Sequence, residues 1–211
     1  MTTTFGPDFD AAALATLAPE LADVFTAAGF TTDGVAGYLG PEVTEALFRG
    51  EPAPVSLAAQ SESQMDLLIR FFLLHEHLPA TLLGEAVGAR LATQLLDANV
   101  ALADAHGMAY IALDIRPHTI VGANRLIFSD VDASLVDHVP GPDHVLGVGA
   151  ASLSLLQSTP VSPVSSVLDL GTGSGVQLLG QIECAEKITA TDVHERALDL
   201  ATATIAAAGE G

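Results

Sequence analysis

The 211-residue sequence predicts an α/β chain: a mostly helical first part, residues 1–130, followed by the opening half of a doubly wound α/β domain, residues 131–211. Three observations carry that expectation. Apolar residues make up 49 % of the chain, and Ala and Leu dominate them, which supplies a core and favours helix. Leucines recur at helical spacing through the first hundred residues. Between 167 and 192 there follow a short apolar run, three alternating glycines, a helix-like segment, a β-rich run and an aspartate.

Residues 10–29 set Leu14, Leu17, Leu21, Val24 and Phe25 on one helical face, with Asp8 or Asp10 as N-cap and Gly29 as stop. A second helix is expected over 40–50, opened by Pro41 and closed by Gly50, with "EPAPVS" as a linker behind it. Residues 64–75, "QMDLLIRFFLLH", are apolar on nearly every side and read as one buried helix. The stretch that follows breaks at Gly84, Gly88 and around Asn99, leaving a helix over 89–97. "YIALDIRPHTI" and "RLIFSDVD" are β-rich, and "VGAN" between them has turn residues. Helices followed by a hairpin is the order of a winged-helix domain. A turn-rich segment around Pro140 and a helix within 147–158 then lead into the second part, whose boundary falls near residue 131.

Val167 to Leu170 suits a buried parallel strand. Gly171, Gly173 and Gly175 alternate with Thr172 and Ser174, so the backbone can turn sharply and approach a ligand that a Cβ would obstruct. A helix from about Gly175 offers unpaired N–H groups. "KITATDV" is a second strand, and Asp192 stands about 20 residues past the loop, where a carboxylate can accept both hydroxyls of a ribose. A dinucleotide loop has the pattern G-x-G-x-x-G, but its third glycine is Val176 here. Asp169, two residues before the first glycine, repels a pyrophosphate and attracts a cation. The ligand expected from these residues has a positive centre and a ribose.

"LDLGTGSG" and "ATDVHERAL" resemble the first and second motifs of the class I S-adenosylmethionine-dependent methyltransferases. The wording is nearest the branch of the N5-glutamine methyltransferases of release factors and the related small-domain RNA methyltransferases, and the similarity covers about 139–209. It implies a Rossmann-like fold for the second part and methyl transfer to a nitrogen of a protein or RNA substrate. It also implies roles for the residues: Gly171, Gly173 and Gly175, with Thr172 and Ser174 between them, pass the methionine part of the cofactor. Asp169 lies near its ammonium, Asp192 binds the ribose hydroxyls, and Val193 rests against the adenine. "VPGPDH" is similar to the branch's "PRP" segment, with Gly141 in place of the arginine. The branch's Asn-Pro-Pro-aromatic motif is not found, and two strands stand where that fold has seven. Either another chain completes the sheet or, the favoured expectation, the reading frame continues past Gly211 with the catalytic residues beyond it, and none is assigned within this chain.

Net charge is −19, with a single lysine and six arginines, so a phosphate backbone is repelled and DNA binding is disfavoured. The helix over 89–97 carries one cation, Arg90, which is too few to read a groove. That charge tilts the substrate away from RNA, toward protein or a small molecule. No 18-residue apolar run and no signal peptide are present, so a cytoplasmic location is expected and no membrane contact. Cys184, the single cysteine, is read as a buried thiol in a helix. His75 and His77 of "HEH" point apart on a helix and would not share a metal; no metal site is expected. Asp114, Arg116 and His118 alternate along one strand face and line a substrate cleft or a solvated surface. His194 borders the cofactor or faces solvent, and Arg49 and Arg70 have no evident partners. The other readings of the glycine stretch are an NAD(P)-dependent oxidoreductase, or a non-catalytic winged-helix regulator with a vestigial loop.

Overall fold

A computed structural model describes residues 8–132 and 140–209 as a mixed α/β arrangement of helices with three small sheets. Helix α1 (Ala11–Ala27) begins where the Asp10 carboxylate accepts from the Ala13 N–H at 2.9 Å. It buries Leu14, Leu17, Leu21 and Phe25, with Val24 at the margin. Phe25 meets Phe30 and Phe72 edge-on, with centroids 4.7 and 4.8 Å apart, and Gly29 ends the helix at φ 71°.

Helix α2 (Thr32–Phe48) is longer than the sequence suggested. Gly40, at φ 74° and ψ 167°, divides it into two limbs, and the expected segment from Pro41 is only the second. The "EPAPVS" stretch is not a linker but the start of α3 (Pro52–Ala58). Pro52 sits in the first turn, where the missing N–H has no intrahelical partner to lose, and Val55 anchors the helix in the core. The single helix expected over 64–75 is instead α4 (Gln64–Leu68) running into a π-helical turn (Ile69–Leu73), with His75 beyond it at φ 52°. Gly84 does not break the chain. It lies within α5 (Ala80–Val87), and Gly88, at φ 91°, separates that helix from α6 (Ala89–Asp97).

The first hairpin after these helices comes earlier than expected. Strands β2 (Ala101–Ala103) and β3 (Met108–Ile111) pair antiparallel, and β1 (Leu78–Pro79) joins β3's other edge, in the order β1-β3-β2. Asp104 sets the turn by accepting from the His106 and Met108 N–H groups. The hairpin read from sequence is a separate one, β4 (Leu113–Ile120) and β5 (Ala123–Asp130), in register over eight pairs across Val121-Gly122.

Helix α7 (Ala150–Ser158) buries none of its residues. Strands β6 (Val167–Leu170) and β7 (Ile188–Thr191) are parallel, joined through α8 (Val176–Leu179), and α9 (Glu195–Ala207) closes at Gly209. Strand β6 is not buried as expected: with one neighbour only, it leaves Leu168 and Leu170 58 % and 76 % exposed. The helix expected from Gly175 is a single turn, and Cys184 sits in the turn after it, half-buried, rather than in a helix.

The main core runs from α1 to β5 and takes in Ala197, Leu200 and Ala203 of α9. Apolar residues thus pack together from both sides of residue 131. A smaller cluster joins Ile120 and Ile127 of the hairpin to Val176 and Leu179 beneath the glycine loop. Among the described residues no single helix is long and apolar enough to cross a membrane.

Two glycines of α2 give opposite expectations. A Cβ on Gly34 would lie 2.0 Å from the Gly29 carbonyl oxygen, whereas one on Gly37 would meet nothing within 4 Å. Gly34→Ala is expected to lower stability by about 2 kcal/mol or more through backbone displacement. Gly37→Ala should raise it by about 0.5–1 kcal/mol through helix propensity. Urea midpoints of the two variants check this.

Candidate functional site

Alternation along β4 decides which side chains meet the glycine loop. Leu113, Ile115 and Pro117 are buried on one face, while Asp114, Arg116 and His118 point the other way. That second face forms one wall of a cleft of about 830 Å³, within the size range of small-molecule sites. The glycine loop, residues 171–174, lines the same cleft, as do Val176 and Gln177. Val35, Ala36, Leu47 and Phe48 of α2, with Leu73, line it too. Of the two readings of the β4 triplet, the structure realises the cleft.

The loop is held by its own backbone. The Gly171 and Thr172 N–H groups both donate to the Thr191 carbonyl, at 2.8 and 3.0 Å, which fixes the loop to the end of β7. Gly171, Gly173 and Gly175 have φ of 74°, 54° and 81°, values that side-chain-bearing residues rarely adopt. At Gly175 there is a second reason, since a Cβ would lie 3.3 Å from Ala201 Cβ on α9. At Gly171 and Gly173 a Cβ would meet nothing within 4 Å, so the space in front of the loop is open. Thr172 and Ser174 are buried, and the Thr172 hydroxyl donates to Asp169 Oδ2 at 2.8 Å.

Asp169 and Asp192 stand at the C-terminal ends of adjacent parallel strands, with the loop between them. Asp192 Oδ2 accepts from the Gly173 N–H at 3.0 Å, and Oδ1 from the His194 N–H at 3.2 Å. The Gly173 bond, above all, holds the Asp192 carboxyl below the usual carboxylate range. Val193 is 91 % exposed beside it, and half-buried His194 precedes α9 as its N-cap residue. All eight residues singled out from sequence therefore lie on the loop or at the C-terminal ends of β6 and β7. Of "VPGPDH", Val139 lies outside the described residues, and His144 lines the cleft.

The β4 face carries an ion-pair network that the sequence did not disclose. Asp114 Oδ1 lies 2.5 Å from Arg116 Nε and 3.2 Å from His75 Nε2, whose other ring nitrogen is 3.3 Å from the Ile111 carbonyl oxygen. Burial alone would raise the Asp114 pKa, but the His75 hydrogen bond and the Arg116 charge hold it below the ordinary value. His75 is thus a buried partner of the cleft wall, while His77 stacks on Tyr110 at 4.3 Å. His118 has its pKa pushed down to about 4 by burial, with Arg116 adding to the shift and Asp114 opposing it. The two arginines without evident partners have them: Arg49 pairs with Glu45 and Glu51, and Arg70 with Glu76.

A second tie joins β5 to α9. Asp130 accepts from Arg196 Nε at 3.1 and 3.0 Å and from the Val145 N–H at 2.8 Å, and His144 Nδ1 lies 3.8 Å away. Arg196 also covers the Phe9 ring at 5.0 Å. Gln177 Nε2 donates to the Ser152 carbonyl at 2.8 Å and fixes α8 to α7. Arg196 falls within "ATDVHERAL" and His144 within "VPGPDH", but neither motif discloses these contacts, which only proximity in the fold reveals.

A family model described as a domain of unknown function, DUF7059, matches residues 27–111, from the end of α1 through β3. The match includes the α2 residues that line the cleft and stops before β4 and the glycine loop. No curated protein matches the chain.

The state of His118 is open to test by pH. Its folded pKa of about 4 lies below its ordinary value of 6.5, so between those values the unfolded chain binds more protons and stability falls as the solution is acidified. The loss is expected to be of order 2–3 kcal/mol. Asp114, whose carboxyl is lowered instead, gives up its contribution only below its ordinary value of 3.8. Melting temperatures from pH 7 to 4 should therefore fall for the wild type and flatten in His118→Phe.

Proposed function

We propose that the chain forms part of an S-adenosylmethionine site and acts within a methyltransferase that modifies a nitrogen of a protein or RNA substrate. In this reading residues 167–209 open a Rossmann-like domain. The order helix–strand–helix–helix–hairpin over residues 64–111, with strands in the order β1-β3-β2, supports a winged-helix unit within the first part of the chain.

The observation that carries the reading is the pair of carboxylates at the ends of β6 and β7 with three positive-φ glycines between them. Such a pair suits a ligand with an ammonium and a ribose and repels a pyrophosphate. Val176, at the third-glycine position of a dinucleotide loop, is buried against Ile120 and Ile127, a second point against NAD(P). On α6, Arg90 is engaged by Glu20 and Gln94, so the one cation of that helix is not offered to a phosphate. A protein substrate is favoured over RNA for that reason and for the chain's net charge of −19.

The residues present fit the cofactor. Asp169, half-buried, offers its carboxylate to an ammonium, and the Thr172 hydroxyl fixes its orientation. The open face of Gly171 and Gly173 leaves room for the ligand's body. Asp192 Oδ1 and Oδ2 each accept one backbone N–H and retain lone pairs for ribose hydroxyls. When bound, the cofactor supplies a methyl group on a sulfonium, for which alignment with the acceptor does much of the work.

Calorimetric titration of the full-length protein with S-adenosylmethionine and with NAD tests the proposal. S-adenosylmethionine is expected to bind, and Asp192→Ala to weaken it about tenfold or more, the scale of a hydrogen bond to a charged group. Binding of NAD alone would favour an oxidoreductase, and binding of neither a non-catalytic regulator.

A further inference from the structure

The cleft lining has two chemically different parts. One is the glycine loop; the other is an apolar wall of Val35, Ala36, Leu47 and Leu73. The cleft-facing side of β4 lines it as well, and there His118 is the side chain that its neighbours leave uncommitted. Arg116 is bound by Asp114 and by the Leu73 carbonyl. Arg125, opposite His118 on β5, is bound by the Ala208 carbonyl and Glu183. Among the described residues no group hydrogen-bonds the His118 ring, although it is shielded enough that burial dominates its titration.

Resting on the methyltransferase reading, we propose that His118 is a substrate-positioning residue whose ring accepts a hydrogen bond from the N–H or O–H of an uncharged methyl acceptor, while the acceptor's apolar body packs on the α2 wall. A neutral imidazole has one acceptor nitrogen, and with a pKa near 4 the ring stays neutral throughout the physiological range. Accepting the acceptor's proton in a hydrogen bond fixes the direction of its lone pair, a help that an amide nitrogen needs more than an amine. An anionic acceptor is disfavoured, because Asp114, Asp130 and Asp132 line the cleft and its one guanidinium, Arg116, is already paired. The apolar wall lies within the segment that DUF7059 matches.

The test uses benzamide as probe, a neutral N–H donor on an apolar ring, and benzoate as its anionic counterpart. Histidine ring signals of the ¹⁵N-labelled full-length protein are followed by NMR. The His118 signal is identified by its loss in His118→Gln and, independently, in His118→Phe. Benzamide is expected to shift the His118 ring nitrogens saturably and to leave His106, on the β2–β3 turn, unmoved; benzoate should move neither. An unmoved His118 at saturating benzamide, or equal shifts with benzoate, would overturn the proposal. S-adenosylhomocysteine is titrated into the same sample by calorimetry. Its failure to bind while benzamide shifts His118 would sink the methyltransferase reading and leave the pocket standing as a binding site. Binding of S-adenosylhomocysteine with no benzamide response would do the reverse.

Discussion

Strand β4 serves two environments at once because successive side chains on a strand point in opposite directions. Leu113 and Ile115 are committed to the main core, and Asp114, Arg116 and His118 are thereby committed to the cleft. A slip of one residue in the pairing with β5 would bury two charges and expose the leucine and isoleucine. Eight register pairs make that slip costly. The cleft, the small cluster under the glycine loop and the contact to α2 through the Thr32–Pro117 hydrogen bond all depend on this register.

The glycine loop is organised from behind rather than by what lies in front of it. Thr191, Asp192 and Ala201 fix it through two carbonyl bonds, a carboxylate bond and a close backbone approach. Its open side therefore keeps its shape without a ligand to hold it. Preorganisation of this kind spares a ligand the cost of ordering the loop. On the opposite wall the Asp114 network does the same for β4, since each of its charged groups already has a partner.

Local signals were the legible ones. Asp10 as cap, Gly29 as stop, the limits of α6, and the strand-loop-strand succession ending at Asp192 could all be read from neighbouring residues. Errors arose where tertiary packing overrides a local rule. Pro52 and Pro54 looked like a linker until Val55 found a core position, and Gly84 looked like a break until α5 packed around it. Val167–Leu170 read as buried because a run of that composition normally has neighbours on both faces, which β6 lacks. In the site, the loop residues carry a motif, whereas His75, Asp130 and the α2 wall do not. Asp130 and Arg196 are 66 residues apart, and no periodicity links them.

The packing of α9 against α1 has a consequence for how the chain is made. The apolar face of α1 is complete only when Ala197, Leu200 and Ala203 arrive, roughly 180 residues later. At about 5–20 residues per second, a nascent chain carries that unfinished face for on the order of ten seconds or more. During that interval Leu14, Leu17 and Leu21 have only the earlier helices for shelter, so the first half is sticky while the second is still being synthesised. Closure of the α1 face is therefore a late event in synthesis, and the core of the first half is completed only once α9 has been made.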